Sequence, residues 1–158
     1  MHVNQYAYFA LFSRSTPATE MAAVLGLEPD ETTVRGSRRT EPKAIPVSHC
    51  WKIVCREPRL RVDEQIARIM QRLAPHTTAI AALASRLNTD GEGYGAVLEV
   101  VRYFNNQDAQ QHDRSDPAAK GPNPLGWHLD RDVLDFLQAT GAALDVDEYD
   151  MTPDYAED

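Results

Sequence analysis

The sequence holds only two cysteines, Cys50 and Cys55, and their spacing is not that of a zinc knuckle. That excludes a disulfide framework. At an odd offset along one strand the two thiols point to opposite faces and do not bridge each other. We expect free thiols in a reducing compartment. The opening residues, Met1-His2-Val3-Asn4-Gln5, lack a basic segment followed by an apolar run, and nowhere does an apolar stretch approach the roughly 18 residues of a membrane span. A cytoplasmic protein with no membrane partner is the expectation. No Gly-Lys-Ser/Thr follows Gly91, Gly93 and Gly95, so there is no phosphate loop, and these glycines read as a turn into a strand. His2, His49, His76, His112 and His128 show no His-x-x-x-His spacing, and none stands beside a Cys-x-x-Cys pair.

Positive charge is also scarce. The formal net charge is −8, which argues against a nucleic-acid partner, because such a partner requires phosphate neutralisation. The charge is unevenly spread. Arg35, Arg38, Arg39, Lys43, Lys52, Arg56, Arg59 and Arg61 are opposed in their segment only by Glu41 and Glu57. From Asp145 onward the chain carries Asp145, Asp147, Glu148, Asp150, Asp154, Glu157 and Asp158 with no Lys or Arg. The two segments either meet in the fold or form separate surfaces.

At 158 residues the chain has the usual size of one domain and can bury enough surface to fold without a metal or disulfide. We assign residues 1–150 to one domain and 151–158 to an acidic tail too poor in apolar residues to order itself. Tyr6 to Phe12 is aromatic-rich and reads as a strand. Thr16-Pro17 starts a helix with Met21, Val24 and Leu25 on its apolar face, and Gly26 stops it. Glu28 to Ser48 reads as a long loop. His49 to Arg56 alternates, with Trp51, Ile53 and Cys55 on one face and Lys52 and Arg56 on the other. Trp51 is expected in the core. Val62, Ile66, Ile69, Met70 and Leu73 fall at helical spacing, Pro75 breaks the helix, and Ile80, Leu83, Ala84 and Leu87 stripe a second one. Tyr94 to Phe104 reads as a central strand covered on both faces. Asn105 to Gly126 is a second long loop. Asp130 caps a helix with Val133, Leu134, Phe136 and Leu137, and Gly141 ends it. In the last strand, Ala142 to Tyr149, Leu144 and Val146 face one way and Asp145, Asp147 and Tyr149 the other.

The order β-α-β-α-α-β-α-β predicts an α+β fold: a four-stranded, largely antiparallel sheet with helices on one face, a ferredoxin-like variant. A mostly parallel α/β sheet is the competing arrangement.

Several short elements, in order, resemble a known family. They are the aromatic first strand, Leu25-Gly26-Leu27-Glu28-Pro29, Arg35-Gly36, the Trp51-Lys52-Ile53 strand, and Gly141-Ala142-Ala143-Leu144-Asp145-Val146-Asp147-Glu148-Tyr149. Together they are similar to the family catalogued as domain of unknown function 4279, over roughly Tyr6 to Tyr149. The resemblance implies a small intracellular domain of bacterial type and carries over no catalytic residue. The Asn105 to Gly126 loop and the acidic tail depart from the family pattern.

Four constellations are candidates for function. Asp145 and Asp147, alternate on one strand, share a face and could hold a hard divalent cation with Glu99 or His128, as in a metal-dependent hydrolase. The plainer reading is a solvated face or pairing with the Arg35–Arg61 segment. His49 and Cys50 are a base and a thiol, but neighbours on a strand point apart. Arg35, Arg38 and Arg39 are arginine forks suited to an anion or an acidic partner, against the alternative of a solvated loop. Trp127 follows Gly126 at a loop edge, where it either meets a partner or joins the core.

The absence of a catalytic set favours a non-enzymatic protein-binding module that needs no cofactor. One immunity-like version has an acidic face capping a basic toxin site. The alternatives are the Asp145/Asp147 hydrolase and a small-molecule sensor with a pocket beneath the Glu28–Ser48 loop. A homodimer through an exposed edge strand is left open.

Overall fold

The computed structural model describes residues 3–37, 45–89, 95–105 and 125–153. Its strands are β1 (Val3–Ser13), β2 (Glu31–Thr33), β3 (His49–Cys55), β4 (Ala96–Phe104) and β5 (Ala143–Asp150). Its helices are α1 (Ala18–Leu25), α2 (Val62–Leu73), α3 (Thr77–Thr89) and α4 (Arg131–Thr140), with one 3-10 turn, Ala74–His76, at the Pro75 break. The strands form one sheet in the order β2-β3-β1-β4-β5.

Period-two alternation sets the layers. Ala7, Phe9 and Leu11 of β1, Trp51, Ile53 and Cys55 of β3, and Ala96, Leu98 and Val100 of β4 all face the helices. The helices return their apolar stripes to that face: Met21 and Leu25 from α1, Val62, Ile66, Ile69 and Leu73 from α2, Ile80, Leu83 and Leu87 from α3, Val133 and Phe136 from α4. Trp51 is fully buried, and its indole N–H donates to the Leu27 carbonyl at 3.3 Å. Phe9 meets Phe136 edge-on, with ring centroids 5.3 Å apart. All described helices thus lie on one side, as the apolar stripes required.

The strand count and topology differ from the expectation in two ways. The sheet has five strands rather than four, because β2 lies inside the segment read as loop. β2 is three residues long and mostly exposed, so it leaves no alternation to detect. The sheet is also mixed rather than of the ferredoxin-like form. β1 runs antiparallel to both its neighbours, β3 and β4, while β5 runs parallel to β4. The helical crossover through α4 brings the chain back to the same end of the sheet, and that forces the parallel pair. Helix α1 begins one residue later than Thr16-Pro17 suggested, with Pro17 in the N-cap position.

Gly95 immediately precedes β4, where the chain presses on α3. A Cβ there would lie 2.7 Å from Asn88 Oδ1, the atom that accepts the Gly95 N–H at 2.6 Å. The expected frayed tail starts at Met151, yet the Met151 N–H donates to the Phe104 carbonyl at 2.8 Å and Asn105 Nδ2 donates to Thr152 Oγ1 at 3.0 Å. Residues 154–158 lie outside the described residues. No described helix is long and apolar enough to cross a membrane.

A polar network closes one end of the helical core. Arg102 is 4% exposed. It donates to Gln5 Oε1 at 3.3 Å, to Glu148 Oε1 at 2.8 Å and to the Leu125 carbonyl at 3.0 Å. Fully buried Gln65 donates to the carbonyls of Gln5 and Glu57, at 3.1 and 3.0 Å. Together these groups tie β1, β4, β5 and the Leu125 segment to one another. Arg102→Met leaves the Leu125 carbonyl and Gln5 without their donor, and should lower the unfolding free energy by about 2–4 kcal/mol in urea titration. Glu148→Gln, at a half-exposed carboxylate, should cost under about 1 kcal/mol.

Candidate functional site

The alternation that buries one half of each strand turns the other half away from the helices. On that second face stand Tyr6, Tyr8, Ala10 and Phe12 of β1, Cys50, Lys52 and Val54 of β3, Val97, Glu99, Val101 and Tyr103 of β4, and Ala143, Asp145, Asp147 and Tyr149 of β5. Tyr8, Ala10, Cys50, Val97 and Val101 form a second, smaller cluster drawn from strands alone. The face Tyr94–Phe104 was expected to bury beneath a covering layer is therefore this one, and no described helix packs on it.

Register assembles the polar groups. Val54, Tyr8, Glu99 and Asp145 lie in one row across four strands, and Tyr6, Val101 and Asp147 in the next. The Tyr8 hydroxyl donates to Glu99 Oε2. The Lys52 ammonium sits 4.1 Å above the Tyr8 ring and the Arg56 guanidinium 4.2 Å above Tyr6, so both long side chains lie down over aromatic surface. Arg56 also pairs with Glu31 at 2.9 Å. Tyr103 and Tyr149 stack at 5.1 Å, and the Tyr149 hydroxyl donates to Asp147 at 3.1 Å.

The face is polarised. Its β3 side carries Lys52 and Arg56. Its β5 side carries Glu99, Asp145 and Asp147. Three strand spacings, about 14 Å, separate β3 from β5, so Lys52 and Arg56 stand apart from Asp145 and Asp147. Burial raises the Glu99 carboxyl above the usual carboxylate range; Asp147 and Asp145 push it further up, and the Tyr8 hydrogen bond opposes them. Burial, then Glu99, drives the Tyr8 hydroxyl well above the tyrosine range. Burial pushes the Cys50 thiol up to about 12, with Glu31 and Glu99 adding to the rise and Lys52 opposing it.

The anticipated site residues are scattered. Asp145 and Asp147 do share the helix-free face with Glu99, but His128 stands elsewhere, 3.1 Å from Asp130 and 3.8 Å from Asp63. Among the described residues no three His, Cys, Asp or Glu side chains form a group able to hold a metal ion. Cys50 is buried on the helix-free face and Cys55 on the helix face, both unbridged. His49 Nδ1 accepts the Arg35 N–H at 3.1 Å, so it does not serve Cys50. Arg35 is in a turn closed by Gly36 at φ +73°, and its guanidinium donates to the Arg14 carbonyl at 3.0 Å. Arg38 and Arg39 lie outside the described residues. Trp127 is half-buried and packs on the helical core. Near Glu28–Asp30, a cleft of about 260 Å³ opens between β3 and α2, lined by Ile53, Cys55, Glu57, Arg68 and Arg72. It falls just below the roughly 300 Å³ at which ligand pockets begin. Arg72, on its wall, is bound to Asp30 at 2.6 Å.

Sequence reasoning named Glu99 as a possible neighbour of the two aspartates but missed that Tyr6, Tyr8, Lys52 and Tyr103 belong to the same surface. Alternation shows which residues of each strand share a face; only the register joins the strands.

A family model described as domain of unknown function DUF4279 matches residues 3–151. The chain belongs to the DUF4279 family. The match runs from the start of β1 to the residue after β5, so the DUF4279 unit includes the whole sheet and both of its faces. Searches of curated proteins and of solved structures each returned no match.

Two titrations follow from this DUF4279 surface. The native Glu99 carboxyl keeps its proton to higher pH than the unfolded one. Its stabilising contribution is therefore fully present below the ordinary carboxylate value and is lost as pH rises through the raised native value. Carboxyl NMR titration should find Glu99 above its ordinary 4.5, moving back down in Asp147→Asn. In an alkylation assay at pH 8, a thiol near 12 in place of 9 should cut the thiolate of Cys50, and its rate, by about a thousandfold relative to the unfolded chain.

Proposed function

We propose that this chain is a non-enzymatic protein-binding module that receives a basic partner on the helix-free face of its sheet. The observation that carries this reading is the joining of aromatic rings and carboxylates on one face: Tyr6, Tyr8, Phe12, Tyr103 and Tyr149 beside Glu99, Asp145 and Asp147. Rigid aromatic side chains supply contact area at small entropic cost and dominate interface energetics. The net charge of −8 and the one-sided acid cluster favour encounter with a cationic surface and reject acidic ones. In its immunity-like form, the acidic side of the face occludes a basic catalytic cleft of a toxin. The two buried, unbridged thiols fit a reducing, cytoplasmic setting.

The test is differential capture from a native lysate at low and physiological salt. Wild type is compared with Asp145→Lys/Asp147→Lys, and with Asp132→Lys/Asp135→Lys on the exposed surface of α4 as a charge-matched control. The expected result is a partner held by wild type and by the α4 control and depleted at least about tenfold by the β5 variant. A protein profile identical for both variants, or nothing enriched at either salt, removes the reading.

A further inference from the structure

The two edges of the sheet are finished differently. At one edge β2 spans only Glu31–Thr33, and past its end the Val54 N–H is taken by the Asp30 carboxylate at 2.8 Å. The Asp30 N–H in turn donates to the Lys52 carbonyl at 2.8 Å. At the other edge β5 runs unbroken from Ala143 to Asp150, paired with β4 along its whole length, and no described strand lies beyond it.

The outward groups of β5 can be identified. In a parallel ladder, alternate residues of a strand bond to the same neighbour. The Met151 N–H donates inward, to the Phe104 carbonyl at 2.8 Å. Asp145, Asp147 and Tyr149 share its parity, so Leu144, Val146 and Glu148 turn their backbone N–H and C=O outward. Edge strands are commonly blunted by charged side chains, proline, a bulge or shortness, and the acids Asp145, Asp147, Glu148 and Asp150 guard β5 against an acidic or neutral strand while leaving it open to a basic one. Ala143–Asp150 contains no Lys, Pro or Gly and keeps continuous register. Its side chains sort by face. Leu144 and Val146, 40% and 38% exposed, lie on the helix side; Asp145 and Asp147 lie on the helix-free side.

We propose that β5 is an addition site for an extended segment of the partner protein, one in which Lys or Arg alternates with apolar residues. The inference rests on the protein-binding reading and names the chemistry of its partner. Main-chain hydrogen bonds to Leu144, Val146 and Glu148 hold the segment. Its basic side chains reach Asp145 and Asp147, and its apolar ones cover Leu144 and Val146. A second copy of this chain is the wrong occupant. Two β5 strands side by side set one row of Asp145 and Asp147 against another, and like charges across strands destabilise the pair.

The experiment titrates the full chain with a fluorescent peptide of about ten residues in which Lys/Arg and Val/Ile alternate. Controls are the same composition in non-alternating order and the alternating peptide N-methylated along its pairing edge. Anisotropy should show the alternating peptide binding at least about tenfold tighter than either control, with affinity falling as salt rises. Amide exchange should slow at Leu144, Val146 and Glu148, and Asp145→Asn/Asp147→Asn, folded by circular dichroism, should lose about tenfold in affinity. Equal binding of the reordered or N-methylated peptide overturns the inference, as does unchanged exchange at those three amides. Sedimentation equilibrium showing a dimer abolished by Leu144→Lys also overturns it, since a second copy then holds the edge. If the peptide fails while Asp145→Lys/Asp147→Lys still depletes the captured partner, the edge inference falls and the face reading stands. If the peptide adds to β5 but capture ignores the face, the converse holds.

Discussion

β1 has two faces and the molecule uses both. Its helix-side residues, Ala7, Phe9 and Leu11, are fully buried under four helices. Its other residues, Tyr6, Tyr8, Ala10 and Phe12, found the aromatic surface. Because side chains on a strand alternate with a period of two, these sets cannot be chosen independently. A slip of one residue against β3 or β4 would place Tyr8 under the helices and Phe9 in the acid cluster. Register along β1 therefore fixes the core and the candidate site together.

What resists such a slip is partly polar. Gln5 pairs with Arg102 across β1 and β4, and the Arg102 side chain then reaches Glu148 on β5 and the Leu125 carbonyl. Gln65 reaches from α2 to the Gln5 carbonyl. An apolar contact tolerates sliding far better than a guanidinium that must find three acceptors at once. Its burial is costly if any partner is misplaced, and that cost penalises wrong registers. The same network anchors β5, whose parallel pairing has no hairpin to fix it.

Much of this was legible in the residues. The helical periods of α2 and α3, the Pro75 break, the buried Trp51 and the opposed thiols of Cys50 and Cys55 all follow from local spacing. β2 was not, because three mostly exposed residues carry no pattern and exist as a strand only by pairing with β3. The parallel run of β5 was not, because strand direction within a sheet is a property of the path between strands. Arg102 falls in a strand read as covered on both faces, and only its Gln5 and Glu148 partners explain why a charge belongs there. For the candidate site, Asp145 and Asp147 were visible as a pair. Glu99 and His128 were both open as their neighbour, and only the register, which pairs Glu99 with Asp145 across 46 positions, decides for Glu99.

The acid cluster has a further consequence for the proposed reading. Glu99 is half-buried, paired with Asp145 and one row from Asp147, and its carboxyl is raised above its ordinary value by burial and by those two charges. Ionising it works against the fold, because burial and two neighbouring charges oppose the new one. A cation arriving on the β5 side reverses the sign of that neighbourhood. It stabilises the ionised Glu99 and offsets the repulsion that the free protein bears. A basic segment therefore pulls the Glu99 carboxyl back down, and part of its affinity derives from offsetting repulsion among carboxyl groups already crowded in the unbound sheet. An acidic or neutral segment recovers none of it. The selectivity for positive charge would therefore reside in the crowding of Glu99, Asp145 and Asp147 on adjacent strands, and not in any single carboxylate.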